Sequence, residues 1–399
     1  MSVPHPPRGC PVCGAPERRV LFEQRFAAVD QATPVTGYEV AVCDCCGAGY
    51  ADGIPGQRAF DQYYRDMSKY EYHQRDGAES SFDERRMAII ADLIAPHVPR
   101  RDARILDVGC ATGRLLADLR AKGFQNVEGL DPSPACAAAA RRLYDIRVRT
   151  NTLAELGAGD ECFDLVILVG VLEHLCDLDE SFTHLRALLP VGGLLYVEVP
   201  DAESFAEWPN APYQDFSTEH INFFARGSLD NLMLRQGFTR VVAEQNHREQ
   251  SYRTVMSNIS AVYRRDVTLP AGTMMRDEGT ARGLERYITS CEAEDRRLQS
   301  LIDRVADEQR AILVWGVGTH TTRLMATSRL RGANIVAFIE SNARYHGRSL
   351  GGRPIIAPET LRKHPEPVLI SSRVFQHEIV QQIRVGLGCT NELLLLYDV

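Results

Sequence analysis

The segment Asp107-Val108-Gly109-Cys110-Ala111-Thr112-Gly113 restricts the fold more than any other part of the chain. The apolar run Ile105-Leu106-Asp107-Val108 leads into it and reads as a buried strand, and Arg114 to Lys122 after it reads as a helix. Two glycines in the turn let the backbone pass close to a ligand with no Cβ in the way. The spacing is not the G-x-G-x-x-G of dinucleotide folds. A second strand, Val127 to Leu130, ends on Asp131 in Gly129-Leu130-Asp131-Pro132-Ser133. A carboxylate at that point can accept both hydroxyls of a ribose. Apolar runs at Phe163 to Val169 and Gly193 to Val199 alternate with helical segments at Ser133 to Tyr144 and Leu178 to Leu189. Strands alternating with helices predict an α/β fold with a mostly parallel, doubly wound sheet.

The D-x-G-x-x-x-G turn, the acid one strand later, Phe163-Asp164-Leu165-Val166 and Val171-Leu172-Glu173-His174-Leu175 together resemble the class I S-adenosylmethionine-dependent methyltransferases. The resemblance implies a Rossmann-like core that binds S-adenosylmethionine through Asp107, Gly109, Cys110, Gly113, Asp131 and Pro132. It adds Val169 and His174 on the cofactor side and places Asn151 to Leu153 beside the adenine. A nucleotide fold for another adenosine compound is the alternative.

Cys10-Pro-Val-Cys13-Gly and Cys43-Asp-Cys-Cys46-Gly form two C-x2-C pairs. Each pair can clamp one edge of a metal ion, and two pairs complete the tetrahedron of a structural zinc. The glycine after each second cysteine permits a tight turn, and the spacing between pairs leaves room for a short β-ribbon. With Cys10, Cys13, Cys43 and Cys46 all in use, no coordination position remains for a catalytic water. The other cysteines among the eleven are dispersed, which argues for reduced thiols rather than a disulfide framework.

The chain has 399 residues, too many for one ordinary core. Residues 1–58 are expected to form the zinc-binding domain, 59–245 the cofactor-binding domain with a helical lid, 246–310 a helical connector, and 311–399 a C-terminal Rossmann-like α/β domain. The net charge of −8, without a basic stripe, argues against a nucleic-acid partner. No apolar run reaches the roughly 20 residues that span a bilayer. Met1 to Gly9 is Pro-rich and lacks the apolar core of a signal peptide, so a cytoplasmic protein is expected.

The order of these parts resembles the zinc-containing sugar C-methyltransferases, which act on nucleotide-linked keto-sugars in natural-product biosynthesis. The resemblance covers nearly the whole chain. It includes Thr218-Glu219-His220-Ile221-Asn222 and a terminal domain from Val314-Trp315-Gly316-Val317-Gly318 to Gly351-Gly352-Arg353-Pro354. It implies S-adenosylmethionine and Zn2+ as cofactors and a small-molecule acceptor, a nucleotide-sugar among them. It implies catalytic roles for His220, Glu219 and a tyrosine, best matched by Tyr72 in the Tyr70-x-Tyr72 segment. Ser217 stands where the family carries a tyrosine, and Arg248 to Ser251 replaces its Gly-Gly-Ser turn.

Methyl transfer needs a nucleophilic acceptor, and histidine is the natural base near neutral pH. His220 is therefore the candidate general base. Glu219 either orients it or contacts the acceptor; the other reading is that both residues tie their loop to the sheet. Tyr63, Tyr64, Tyr70 and Tyr72 form either a lid or a helix face packed on the sheet. In the terminal domain, Gly316 to Gly318 opens a helix, Glu340 ends the next strand and His320 starts the helix. That domain either helps hold a nucleotide-bearing acceptor or is architectural. Two further readings share the fold: a non-methylating reaction such as an intramolecular cyclisation, and O- or N-methylation in secondary metabolism.

Overall fold

The computed structural model describes residues 5–30, 32–67, 79–156, 162–208, 210–252, 254–266 and 274–397. Three sheets organise it. The first is built from β1 (Arg18–Arg25), β2 (Gly37–Cys43) and β3 (Gly49–Asp52), a meander between and after the cysteine pairs. Helices α1 (Gln57–Met67) and α2 (Ser81–Ile94) follow. Ser80 caps α2 by accepting the Asp83 N–H.

The second sheet begins with β4 (Arg104–Val108), α3 (Arg114–Ala121), β5 (Asn126–Leu130), α4 (Pro134–Tyr144), β6 (Val148–Arg149), β7 (Leu165–Val169), α5 (Leu178–Leu188) and β8 (Leu194–Pro200). The two-residue β9 (Asn222–Phe223) then leaves this sheet and pairs with β3, so the first sheet has the order β1-β2-β3-β9. Helix α6 (Arg226–Arg235) returns the chain to β10 (Phe238–Ser251) and β11 (Thr254–Arg265). The second sheet has the order β10-β11-β8-β7-β4-β5-β6. Strand β11 runs antiparallel to both neighbours, whereas β8, β7, β4, β5 and β6 are mutually parallel. Both faces are covered, which is why β7 and β8 read as continuous apolar runs.

The expectation of a helical connector over 246–310 is corrected in its first third. Residues 246–251 complete β10 and 254–265 form β11, paired with β8 through Asn258↔Pro200 to Arg264↔Leu194. The strand signal is weak because Ser257, Asn258 and Ser260 point polar side chains into buried positions. Among the described residues of that span, only α7 (Gly279–Glu308) is helical. Its 30 residues span about 45 Å. Leu284, Tyr287 and Cys291 on it pack with Tyr38 and Phe216, and Leu298, Ile302 and Ala306 pack with Val314 and Leu324.

The third sheet holds β12 (Ile312–Trp315), β13 (Ile335–Ile339), β14 (Ser349–Leu350), β15 (Arg353–Ile356), β16 (Val368–Ile370) and β17 (Leu393–Leu395), with α8 (Thr319–Thr327) after β12 and α9 (Gln376–Gln381) after β16. Its order is β14-β15-β13-β12-β16-β17, parallel from β15 to β17. The strand order reverses between β12 and β16, the switch point at which such sheets open a crevice. Among the described residues no helix is long and apolar enough to cross a membrane.

Candidate active site

The turn after β4 is held against the end of β5. The N–H of Gly109 donates to the Leu130 carbonyl at 2.7 Å, and that of Ala111 donates to Asp131 Oδ2 at 2.9 Å. Asp131 Oδ1 accepts the N–H of Ser133 at 2.9 Å. Gly109 has φ +74° and Ala111 φ +47°. The left-handed turn at Ala111, unusual for a residue with a Cβ, aims its N–H at the carboxylate. A Cβ on Gly109 would lie 2.8 Å from Val171 Cγ2, so the turn packs directly on the segment after β7. The glycine turn and Asp131 thus converge as the sequence suggested.

A recess opens here, walled by Asp107, Gly109, Ala111, Thr112, Val169 and Glu79. Asp107 is buried, and burial first and the nearby Asp131 second push its carboxyl well above the usual range. Burial also raises Asp131, against the pull of the Ser133 and Ala111 N–H groups. Each Asp131 oxygen uses one lone pair on a backbone N–H and keeps another, which suits a vicinal diol. An adenosyl ribose therefore fits the residues present.

The other expected cofactor residues divide by orientation. Pro132 lies half-buried between Asp131 and Ser133. Cys110 is buried, and its sulfur packs where a Cβ on Gly129 would sit. A Cβ on Gly113 would meet Ala140 Cβ at 3.2 Å, so this glycine lets α3 approach α4. Leu153 starts the 3-10 turn Leu153–Glu155 and is buried in one cluster with Leu130 and Leu172.

His174 ends the 3-10 turn Leu172–His174 that follows β7. Its Nδ1 lies 2.9 Å from the Glu219 carbonyl oxygen, and its ring centroid is 5.1 Å from that of His220. Ser217 Oγ accepts the N–H groups of Glu219 at 3.2 Å and His220 at 3.0 Å. Tyr63 Oη donates to Glu219 Oε1 at 3.3 Å, and the Tyr64 ring meets His174 edge-on at 5.8 Å. Tyr70 and Tyr72 lie outside the described residues. Tyr63 also interacts with Tyr345, on the loop after β13, which brings the third sheet to the same cluster.

The loop carrying His220 is fastened to the first sheet. Ala51 donates its N–H to the Ile221 carbonyl at 2.9 Å, and Asn222 sits opposite Tyr50 across β3 and β9. Arg8 spans the junction. Its guanidinium donates to the carbonyls of Ala51, Cys176 and Ile221 and to Asn222 Oδ1, at 2.7 to 3.1 Å. Beside it the Cys10 and Cys46 sulfurs are 3.6 Å apart and those of Cys13 and Cys43 3.5 Å apart, with all four within 4.8 Å of one another. A tetrahedron with metal–sulfur bonds of about 2.3 Å has sulfurs about 3.8 Å apart, so the four residues fit a zinc ion. Gly14 and Gly47 have φ of +79° and +82° and donate to the Cys10 and Cys43 carbonyls. The Cys46 N–H faces a sulfur, 3.5 Å from Cys43 Sγ. The ribbon expected between the pairs is the β1–β2 hairpin.

Two parts of the site had no clear signal in the sequence. Glu79 is buried against Thr112 and the Tyr144 hydroxyl, one residue before a helix cap and in no motif. Glu198 on β8 is fully buried between Arg86 of α2 and Arg248 of β10, at 2.9 and 3.1 Å, and accepts the Ser260 hydroxyl at 2.8 Å. An acid alternating with apolar residues in a strand was the only hint. In the third sheet, Glu340 repeats the Asp131 arrangement: Oε2 accepts Val317 N–H at 3.1 Å and Oε1 accepts Asn342 N–H at 3.0 Å. His320 is buried behind Tyr397, whose hydroxyl is 2.8 Å from its Nε2.

Comparison with known proteins agrees with the geometry of the second sheet. Residues 82–244 match a methyltransferase-domain family, and residues 308–392 match a family described as C2185-like, N-terminal. The chain is 31% identical over 162 residues to a probable S-adenosylmethionine-dependent methyltransferase of Mycolicibacterium smegmatis, covering 40% of this chain and 61% of that protein. It is 37% identical over 109 residues to a ubiquinone biosynthesis O-methyltransferase of Cereibacter sphaeroides, covering 26% of this chain and 43% of the relative. The chain thus spans less than two thirds of these curated relatives. A solved 1,6-didemethyltoxoflavin-N1-methyltransferase of Burkholderia thailandensis, with S-adenosylhomocysteine bound, aligns at TM-score 0.41 and 20% identity over 56% of this chain and 96% of that one. The turn at Gly109, the acid at Asp131 and the family match agree: the chain carries a class I S-adenosylmethionine-dependent methyltransferase domain, and it is an enzyme.

Proposed function

We propose that this enzyme moves a methyl group from S-adenosylmethionine to a small-molecule acceptor, a nucleotide-linked sugar or a related natural-product intermediate, with His220 as the general base. The observation that carries the reading is the placement of His220. Its ring stands beside that of His174, which is three residues beyond the Val171 that packs on Gly109, and its loop neighbour Glu219 meets Tyr63 of α1.

Bound S-adenosylmethionine supplies a methyl group on a sulfonium, already activated for displacement. The chain has to hold the acceptor in line and take its proton. His220 is the group placed to accept a proton from a carbon acid beside a carbonyl or from a hydroxyl. Glu219 and Tyr63 supply an acceptor and a donor for the polar groups of a sugar, and Tyr72 belongs with them by the family resemblance. A zinc ion on Cys10, Cys13, Cys43 and Cys46 would staple the sheet that carries β9, and with it the His220 loop.

The test is transfer of radiolabelled methyl to a panel of nucleotide-linked keto-sugars, with the product mapped by NMR. Label on sugar carbon supports the reading in full. Cofactor bound but no methyl consumed during turnover overturns it in favour of a non-methylating reaction. A second reading, methylation of a hydroxyl, is favoured by the likeness to the ubiquinone biosynthesis O-methyltransferase; it uses the same base, and label on oxygen would establish it.

A further inference from the structure

Apart from the four cysteines, one more group of metal-ligand side chains is gathered in this molecule. Glu173 and His174 are consecutive in the 3-10 turn Leu172–His174, and His220 reaches them from the loop before β9. A carboxylate oxygen of Glu173 and one ring nitrogen of each histidine lie within 4.8 Å of one another. The loop is laced to the turn on both sides of His220. The Glu219 carbonyl accepts from His174 Nδ1 at 2.9 Å, and the Ile221 N–H donates to the Glu173 carbonyl at 2.8 Å. Asn222 Nδ2 adds bonds of 2.8 Å to the carbonyls of Leu172 and Leu175. The three side chains are thus brought together by bonds made through backbone groups, Asn222 and His174 Nδ1.

The chemistry of the group is that of a metal site. A histidine that ligates a metal through one nitrogen almost always donates its other N–H to a carbonyl, a carboxylate or water, which fixes its tautomer and its ring. His174 meets this condition. With Nδ1–H on the Glu219 carbonyl, Nε2 carries the lone pair and faces Glu173 Oε1 at 4.0 Å, too far for a hydrogen bond. In a tetrahedron of nitrogen and oxygen ligands about 2.0–2.1 Å from the ion, the ligand atoms stand about 3.4 Å apart, so side-chain shifts of about 1 Å or less close the group on an ion. Glu173 is 3% exposed and the His174 side chain 15%, so a dication there meets the carboxylate across little water. Two imidazoles and one carboxylate suit zinc, nickel or iron(II) rather than magnesium or calcium, and they leave coordination positions open.

We propose that Glu173, His174 and His220 form a binding site for a divalent transition-metal ion such as Zn2+, and that an ion bound there blocks methyl transfer. The ion and the acceptor's proton compete for one lone pair on His220, and an imidazole that ligates a metal through that pair no longer acts as a base. The blocking rests on the reading of His220 as the base; the ion site rests on the geometry alone. Four thiolates hold zinc more tightly than two imidazoles and a carboxylate, so the cysteine site fills first and the histidine site second.

The untagged full chain, loaded with one equivalent of Zn2+, should bind a further equivalent in a calorimetric titration with Zn2+. Methyl transfer, to whichever sugar nucleotide of the panel takes label, should fall over the same range of free Zn2+. Glu173→Gln keeps the shape of the side chain and removes its charge. It should weaken the second binding event at least tenfold while the first zinc is retained. His220→Ala should do the same, and it decides the matter where Glu173→Gln fails to fold. No second event up to millimolar Zn2+ overturns the site. So does a second event of unchanged affinity in the variants, which would put the ion on other groups. A second event in the wild type with undiminished transfer overturns the blocking and keeps the site. A panel that takes no label at all counts against the acceptor reading and not against the site, which the binding titrations decide by themselves.

Discussion

His174 Nδ1 lies 2.9 Å from the carbonyl oxygen of Glu219. A carbonyl can only accept, so Nδ1 carries the proton and Nε2 is the nitrogen turned toward Glu173, 4.0 Å away. The bond clamps the turn after β7 to the residue before His220. Two adjacent histidines are thereby placed differently: His174 ties the turn after β7 to the loop, and His220, its ring centroid 5.1 Å away, is the base of the proposed reaction.

That division predicts two kinetic phenotypes. His220→Ala should lower kcat by about 10²–10⁴-fold, the range for loss of a general base. The affinity for S-adenosylhomocysteine should stay within about twofold, since the cofactor turn is held by Leu130 and Asp131. His174→Ala should raise KM as well as lower kcat, because the loop that presents Glu219 loses its tether. Steady-state kinetics beside calorimetry checks both; a fully active His220→Ala moves the base elsewhere.

Asp131→Ala should weaken S-adenosylhomocysteine binding at least tenfold, about 1.4 kcal/mol or more. The substitution removes the diol acceptor and also frees the Ala111 N–H, on which the left-handed turn depends. Asp131→Asn separates the two effects, since its side-chain oxygen can still accept one N–H. Calorimetry on both variants is the measurement, and wild-type affinity in Asp131→Ala would detach this carboxylate from the cofactor.

Much of this was legible in the sequence because local chemistry dictated it. The glycine turn, the acid at 131 and the C-x2-C pairs are short motifs whose geometry follows from their own residues. What stayed hidden depends on contacts between distant segments. Nothing in Asn222-Phe223 announces a fourth strand on the sheet beside the cysteine pairs, and nothing in Arg8 announces a brace reaching Ile221. The β11 strand was obscured because Ser260 faces the buried Glu198 and so reads as polar. Tyr63 and Tyr64 reach Glu219 and His174, contacts that spacing alone did not announce.

Removing the zinc proposed on the four cysteines should cost activity before it costs cofactor binding. β9 pairs with β3, and β3 directly follows the second cysteine pair, so loss of the staple loosens the His220 loop rather than the turn at Gly109. Metal analysis should find one zinc per chain in the wild type and less in Cys43→Ser. That variant, or wild type treated with a strong chelator, should show a lower melting temperature and a lower kcat, with S-adenosylhomocysteine affinity reduced far less. Full zinc content in Cys43→Ser would break the assignment of the ligand set.

Glu198 links stability to pH. Burial, the largest influence, raises its carboxyl, but Arg86, Arg248 and the Ser260 hydroxyl outweigh it and leave the group below its ordinary value. A carboxyl lowered in the folded state contributes stability above its unfolded pKa of about 4.3, and that contribution is lost as pH falls through the lower folded value. Glu198→Gln should therefore destabilise the protein at pH 7, by about 3–5 kcal/mol if the two arginines stay buried without a counter-charge. The gap between variant and wild type should narrow below about pH 4, where the wild-type carboxyl begins to take up its proton. Urea denaturation at a series of pH values measures this directly. Because Arg86 also lines the cofactor recess, S-adenosylhomocysteine affinity should fall along with stability at neutral pH. A gap that stays constant with pH would show that Glu198 acts through packing rather than through its charge.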